Sequence, residues 1–438
     1  MEMTNGNVLK SIIKFAIPCI ITRLIQNLYP LIDAVIAGSL LNEESLSAIG
    51  IGGSVYSLFN DTVLGLVAGF AVVAGKRFGA KQEDAVKSVY AHSLLFTLLV
   101  GVSVSAAGII FSKQILALLQ TPTDIAEISA QYLFVMFLGF LPNALFNFYC
   151  EIMRALGDSK RPLYLLILSS VLHLVLIIPL TKLCGISGAA LATVLSYLIT
   201  VIVAALMVRR SFPNLRLSPF TFQKNVLKEC LSIGVPMALT SAVVMVGVLL
   251  LNLVTNTIGT DYIAAYTCAS KIGYIITTPI FGFATALAVF VSQNFGAKQF
   301  DRIREGVNKT FKVTFAVDAV LLIVALIICK PILRLILGGN DVAVDAGFLY
   351  LTVRCVAMFV LTPAAFYKNL LPAIGRPFFS TFSGFVEIGI RYAFPMLFST
   401  LLGFVSVPLT DAVVWSVLAA ILLPAYYFEL KKVKDVIV

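Results

Sequence analysis

Residues 77–84 read RFGAKQED, and residues 294–301 read NFGAKQFD. The shared FGAKQ core recurs at an offset of 217 (295 − 78). The echo widens on both sides. AIP at 16–18 returns as GVP at 234–236, and RALGDSKRP at 154–162 returns in shortened form as PAIGRP at 372–377. Gly157 and Gly375 are again 218 apart (375 − 157), and half of the 438-residue chain is 219. A spacing of half the chain marks a tandem duplication. The polar stretch RRSFPNLRLSPFTFQKN at 209–225 is its joint.

The composition identifies the solvent. The chain is 59% hydrophobic and 12% charged, with a mean hydropathy of +0.98, whereas soluble domains carry about 25% charged residues. Lipid is therefore the medium. The net charge of +10 is scattered between apolar runs rather than gathered on one face, which argues against a nucleic-acid partner. A span needs roughly 20 apolar residues, and twelve segments meet that measure: 11–39, 45–75, 88–111, 125–154, 161–182, 186–208, 226–257, 262–293, 306–329, 343–370, 378–402 and 409–429. With a cytoplasmic N-terminus, about three quarters of the 32 Lys and Arg residues fall on the cytoplasmic side. Lys113, Lys182, Lys330 and Arg334 fall outside, and Arg23, Lys271, Arg354 and Arg391 lie within spans. The opening MEMTNGNVLKSIIKF leads into a run holding Pro18, Arg23, Pro30 and Asp33, with no cleavage site, so it reads as a retained first helix.

These readings predict an all-α integral membrane protein of twelve transmembrane helices. Residues 1–210 and 226–438 form two six-helix lobes, and 211–225 form a cytoplasmic linker. Six is even, so both halves enter the membrane from the same side, a parallel repeat typical of secondary transporters. No channel filter sequence is present. The seven cysteines are dispersed without a C-x-x-C pair, so neither a metal site nor a disulfide framework is expected. No H-E-x-x-H, G-x-S-x-G or P-loop occurs, which argues against an enzyme and against direct use of ATP.

LIQNLYPLIDAVIAGSLLNEESLSAIG, GKRFGAKQ, RALGDSKRPLY, GISGAALATVLS and VSQNFGAKQFDRI, in that order, resemble the multidrug and toxic compound extrusion (MATE) family. The resemblance implies a V-shaped pair of six-helix lobes that exports cationic or amphipathic compounds against inward flow of protons or sodium. It implies a multi-pass plasma-membrane protein with both termini cytoplasmic. No cofactor is expected beyond the coupling ion, and the expected partners are a small-molecule substrate and membrane lipids. A monomer is expected. The alternative is a flippase for lipid-linked sugars from the same superfamily, which would carry an arginine-rich cavity.

Asp33 stands out because an intramembrane carboxylate costs roughly 2.5–3.5 kcal/mol on insertion scales. Tyr29 lies one turn earlier and could donate to it. The Tyr-x-x-x-Asp spacing matches, by resemblance, the family's first-helix coupling site. His173 titrates near neutral pH and stands where relatives often carry asparagine. Their aspartate four residues on is Ile177 here. A hard cation wants several oxygen ligands, so proton coupling is favoured over sodium. A histidine bonded to a neighbouring helix is the competing reading. Thr193 matches the family's sixth-helix hydroxyl, against an ordinary packing role. Gln26, Asn27, Asn143, Asn147, Lys271, Gln293 and Arg354 are candidates to line a substrate cavity, although Lys271 and Arg354 would repel a cation there. Glu387–Arg391 and Glu151–Arg154 are spaced as structural ion pairs. The facing of Asp61 and Asp318 is left open.

Overall fold

In the computed structural model the chain is helical almost throughout, and the structure describes residues 2–215, 222–256, 260–338 and 340–437. Within α1, the side chains at 29–31, 33, 34 and 37 lie outside the described residues. Twelve α-helices follow one another: α1 (Val8–Leu40), α2 (Glu43–Gly79), α3 (Glu83–Leu118), α4 (Thr123–Leu138), α5 (Phe140–Ala155), α6 (Lys160–Ser211), α7 (Lys224–Asn256), α8 (Thr260–Gly296), α9 (Phe300–Leu337), α10 (Asp341–Ala373), α11 (Phe378–Leu402) and α12 (Ser406–Ile437). They do not map one to one onto the spans expected from hydropathy. The fourth span is α4 plus α5, bent by 48° at Gly139. The fifth and sixth are the two parts of α6, which breaks at Gly185. Among the described residues, eight helices are long and apolar enough to cross a membrane, or nine with the bent pair counted as one span.

Burial is inverted relative to a soluble protein. Leu335, Leu401, Phe378 and Ile327 are exposed, while Gln293, Asn294, Asp318 and Asp411 are buried. Lipid tails are as apolar as leucine, so helix association relies on close packing and internal polar contacts.

The duplication is carried into the backbone. After α2, Lys81 adopts φ 57°; its N–H donates to the Phe78 carbonyl, and Gln82 N–H donates to Arg77. After α8, Lys298 adopts the same φ of 57°, with bonds from its N–H to Phe295 and from Gln299 N–H to Asn294. Both are 6→1 and 5→2 helix terminators. Hence the FGAKQ motif is a repeated stop signal. A second repeated corner is hidden in the sequence. Gly185 has φ 58°, ψ −138° and Gly403 has φ 53°, ψ −135°, at an offset of 218 (403 − 185). Only glycine enters this region without strain. We expect Gly185→Ala and Gly403→Ala each to cost about 1–3 kcal/mol, read as a lowered unfolding temperature in detergent.

The helices gather into two compact units: Met1–Glu2 with Ile25–Ala238, and Met3–Leu24 with Leu239–Val438. This differs from the division at the linker. Each repeat contributes the start of its first helix to the opposite unit, which hydropathy cannot reveal. In unit 1, α7 crosses α2 backbone against backbone: a Cβ on Gly69 would sit 2.4 Å from Gly234 Cα. Any side chain at either position would separate the helices. Glu229 of α7 also accepts from Arg77 at 2.5 Å. In unit 2, Gly282 of α8 packs on Ile20 of α1. The segment before α1 is held there too: Arg302 donates to the carbonyls of Met3, Asn5 and Gly6, and Gln293 accepts from Met3 N–H at 3.0 Å. Arg302→Ala is expected to raise amide exchange over residues 3–7 while leaving α9 protected, as read by hydrogen–deuterium exchange.

Candidate functional site

Two polar groupings lie inside unit 1. The first joins the two parts of α6. His173, buried before the Gly185 break, lies 3.3 Å through Nδ1 from the hydroxyl of Thr193, buried after it. The Gly185 corner folds the helix back and brings these side chains, twenty residues apart, into contact. Thr193 also lies 3.5 Å from the Ala189 carbonyl, which its hydroxyl can bond instead. Beneath the pair, Ile177 packs with Ala189 and Ala192, and Ile36 of α1 packs on the same cluster. The α1 segment carrying residue 33 thus runs beside the His173–Thr193 contact. The side chains of Asp33 and Tyr29 lie outside the described residues. His173 is thus in contact with the other part of α6 through Thr193.

The second grouping is an amide ladder between α2 and α5. Asn143 donates to Tyr56 Oη at 2.9 Å and to Asn60 Oδ1 at 2.8 Å, and Asn147 reaches the same oxygen at 3.3 Å. Asn60 in turn donates to Asp61 Oδ1 at 3.0 Å. Asp61 is half-buried. Glu151 and Arg154, farther along α5, pair at 2.7 Å as expected.

Unit 2 contains a longer construction across α10, α11 and α12. Lys368 donates to Glu387 at 2.9 Å, and Glu387 accepts from Arg391 Nε at 3.1 Å. Arg391 Nη1 reaches Asp411 at 2.8 Å, and Asp411 accepts from Arg354 Nη1 at 2.5 Å. Five charges alternate in sign and end on Arg354, whose guanidinium lies 5.1 Å from the Tyr274 ring and 5.0 Å from Trp415. Tyr350 donates to Asp411 at 3.2 Å. The Glu387–Arg391 pair expected from spacing is present, but as two rungs of this ladder. Arg354 is buried and bound rather than a free cation, which corrects its reading as an open cavity charge.

The other candidates are dispersed. Gln26, Asn27 and Lys271 are exposed. Gln293 is fully buried and fastens the segment before α1, so it corrects to a structural role. Lys368, Asp411, Asn60 and Tyr56 were missed by sequence reading. Asp411 opens α12 in PLTDAVVW and looks there like an interfacial acid.

Comparison with known proteins agrees with this layout. The MatE family profile matches residues 18–178 and 236–397, one block per repeat. "Probable multidrug resistance protein YoeA" of Bacillus subtilis is 28% identical over 78% of this chain and 76% of its own length. "Multidrug export protein MepA" of Staphylococcus aureus is 23% identical over 94% and 91%. The "FAD transporter" of Shewanella oneidensis is 22% identical over 77% and 76%. The fold matches an outward-facing multidrug resistance MATE family transporter of the MOP superfamily with TM-score 0.91, 22% identity and 98% coverage of both chains. A MOP superfamily transporter from Pyrococcus furiosus, described as having a binding pocket of reverse polarity, matches with TM-score 0.90 at 22% identity, covering 99% and 98%.

Proposed function

Because this chain belongs to the MatE family of multidrug-efflux membrane transporters, we propose that it is a secondary antiporter of the plasma membrane. It exports small organic compounds, cationic or amphipathic, in exchange for protons. The observation that carries this reading is the packing of α1 through Ile36 on the cluster under His173–Thr193. Ile36 lies three residues after Asp33 on the same helix, which brings that helix to the cluster under a buried imidazole. Ile177 fills the position where a second oxygen ligand would serve a sodium ion, and it is buried in apolar contacts. That chemistry suits a proton better than a hard cation. Asp33 takes up the proton, Tyr29 and His173 are its partners in coupling, and Thr193 contacts the imidazole. No cofactor takes part, and the protein works as a monomer with both termini in the cytoplasm.

A second reading concerns substrate charge. The ladder in unit 2 holds three cations, Lys368, Arg391 and Arg354, against two acids, Glu387 and Asp411. Lys368, with 19% of its side chain exposed, is the one of these cations that could meet a substrate, and it favours an anionic or zwitterionic one.

The test is export from proteoliposomes under an imposed pH gradient or sodium gradient, with one fluorescent organic cation and one fluorescent organic anion. Cation export driven by the pH gradient alone is expected. Export of the anion alone would replace the first substrate reading by the second, and drive by sodium alone would overturn proton coupling.

A further inference from the structure

Asp318 belongs to none of the groupings above. It sits in the middle of α9, the most apolar of the candidate spans among the described residues. It is fully buried. Its Oδ2 accepts from the Thr362 hydroxyl of α10 at 2.6 Å, while Oδ1 has no hydrogen-bond partner among the described residues. One turn earlier on the same face of α9, the hydroxyl of Thr314 is also buried without a partner.

The neighbouring charges are committed elsewhere. On α10, Arg354 is bound to Asp411, Lys368 to Glu387, and Tyr367 to Tyr427. On α8, Tyr274 lies under Arg354 and Lys271 is exposed. Cys329 and Cys355 are buried thiols, and Lys312 of α9 lies a turn and a half before Asp318 without an ion pair to it. The contrast with the ladder is sharp: Glu387 and Asp411, equally buried, each bind two cations. A buried carboxylate with no cation is expensive, and such a group neutralises instead.

We infer that the Asp318–Thr362 contact between α9 and α10 is a second proton-binding site, in unit 2. A hydronium ion gives up a proton and leaves as water, the O–H bond forms on Oδ1, and Oδ2 remains the acceptor for Thr362. Thr314, one turn earlier on α9 with its hydroxyl unpartnered, is the group able to bond the new hydrogen. Pro363, next to Thr362, has no N–H for the carbonyl of residue 359. Phe359 stacks on Phe315, so this break lies against Asp318's own stretch of α9. A helix bends at such a proline. Bending there would part Thr362 from Asp318 and open the carboxyl to exchange. The role of this proton in transport rests on the antiport reading; its presence does not.

The test is infrared spectroscopy of the full-length protein in lipid nanodiscs, followed against pH and after transfer to D₂O. At neutral pH a protonated-carboxyl band is expected that persists in Asp33→Asn and disappears in Asp318→Asn. Thr362→Val, which removes the hydrogen bond to the carbonyl oxygen, should move the band to higher frequency. The band should shift in D₂O and vanish at alkaline pH. A band unaffected by Asp318→Asn would overturn the assignment. A band that never exchanges in D₂O would make Asp318 a sealed structural carboxyl and overturn the site. Because the band is read without transport, these results stand whether or not proton-driven export is found.

Discussion

Asp411→Ala is expected to leave little folded protein, with a loss of about 3–5 kcal/mol, the range found when one partner of a buried ion pair is removed. Asp411 is 2% exposed and binds two guanidiniums, one on each carboxylate oxygen. Its removal leaves the ladder with three cations and a single acid, Glu387. Arg391 would keep Glu387, but Arg354 would retain only the Tyr350 hydroxyl and its aromatic neighbours. Size-exclusion thermostability in detergent reads this directly. The triple variant Arg354→Met, Arg391→Leu, Asp411→Leu removes two cations with one acid and leaves the balanced Lys368–Glu387 pair. It should recover most of the loss, since apolar replacement of a whole buried network is often neutral or stabilising. If Asp411→Ala unfolds within a degree or two of wild type, the ladder is not what holds α10, α11 and α12 together.

The second large effect is expected at Asp33. Asparagine keeps the size and hydrogen-bonding capacity of the side chain but cannot change charge near neutral pH. Asp33→Asn should therefore fold with an unchanged unfolding temperature and lose export driven by a pH gradient, down to the leak of empty liposomes. His173→Gln is expected to behave differently. Glutamine can still accept from Thr193, so the contact across the Gly185 corner survives while the imidazole is lost. Export should persist at a reduced rate. Loss of all export in both variants would instead mean that the two residues act as one unit.

Much of this architecture was legible in the sequence, for reasons that differ by element. The duplication could be read because FGAKQ is a helix stop whose backbone geometry constrains its residues in both halves, as Lys81 and Lys298 show. The spans could be read because lipid demands apolar length. The Gly185–Gly403 corner could not, since two glycines among 29 carry no signal until their dihedral angles are known. The ladder was half legible: Glu387 and Arg391 are a turn apart, but Lys368 and Asp411 reach them from other helices, 19 and 20 residues away in the chain. The exchange of helix starts between units was invisible for the same reason. Hydropathy gives a helix's depth, not the side on which it packs. In unit 1, His173 and Thr193 lie twenty residues apart in the chain, and only the Gly185 corner puts them in contact.

Of the measurements proposed, the most direct is proton movement itself. Proteoliposomes loaded with a pH-sensitive dye and held without an imposed gradient would be given an outward gradient of an organic cation that itself carries no exchangeable proton. Wild type is expected to acidify the lumen as the cation leaves, with Asp33→Asn silent in parallel. Cation efflux without any change in lumenal pH would contradict proton antiport.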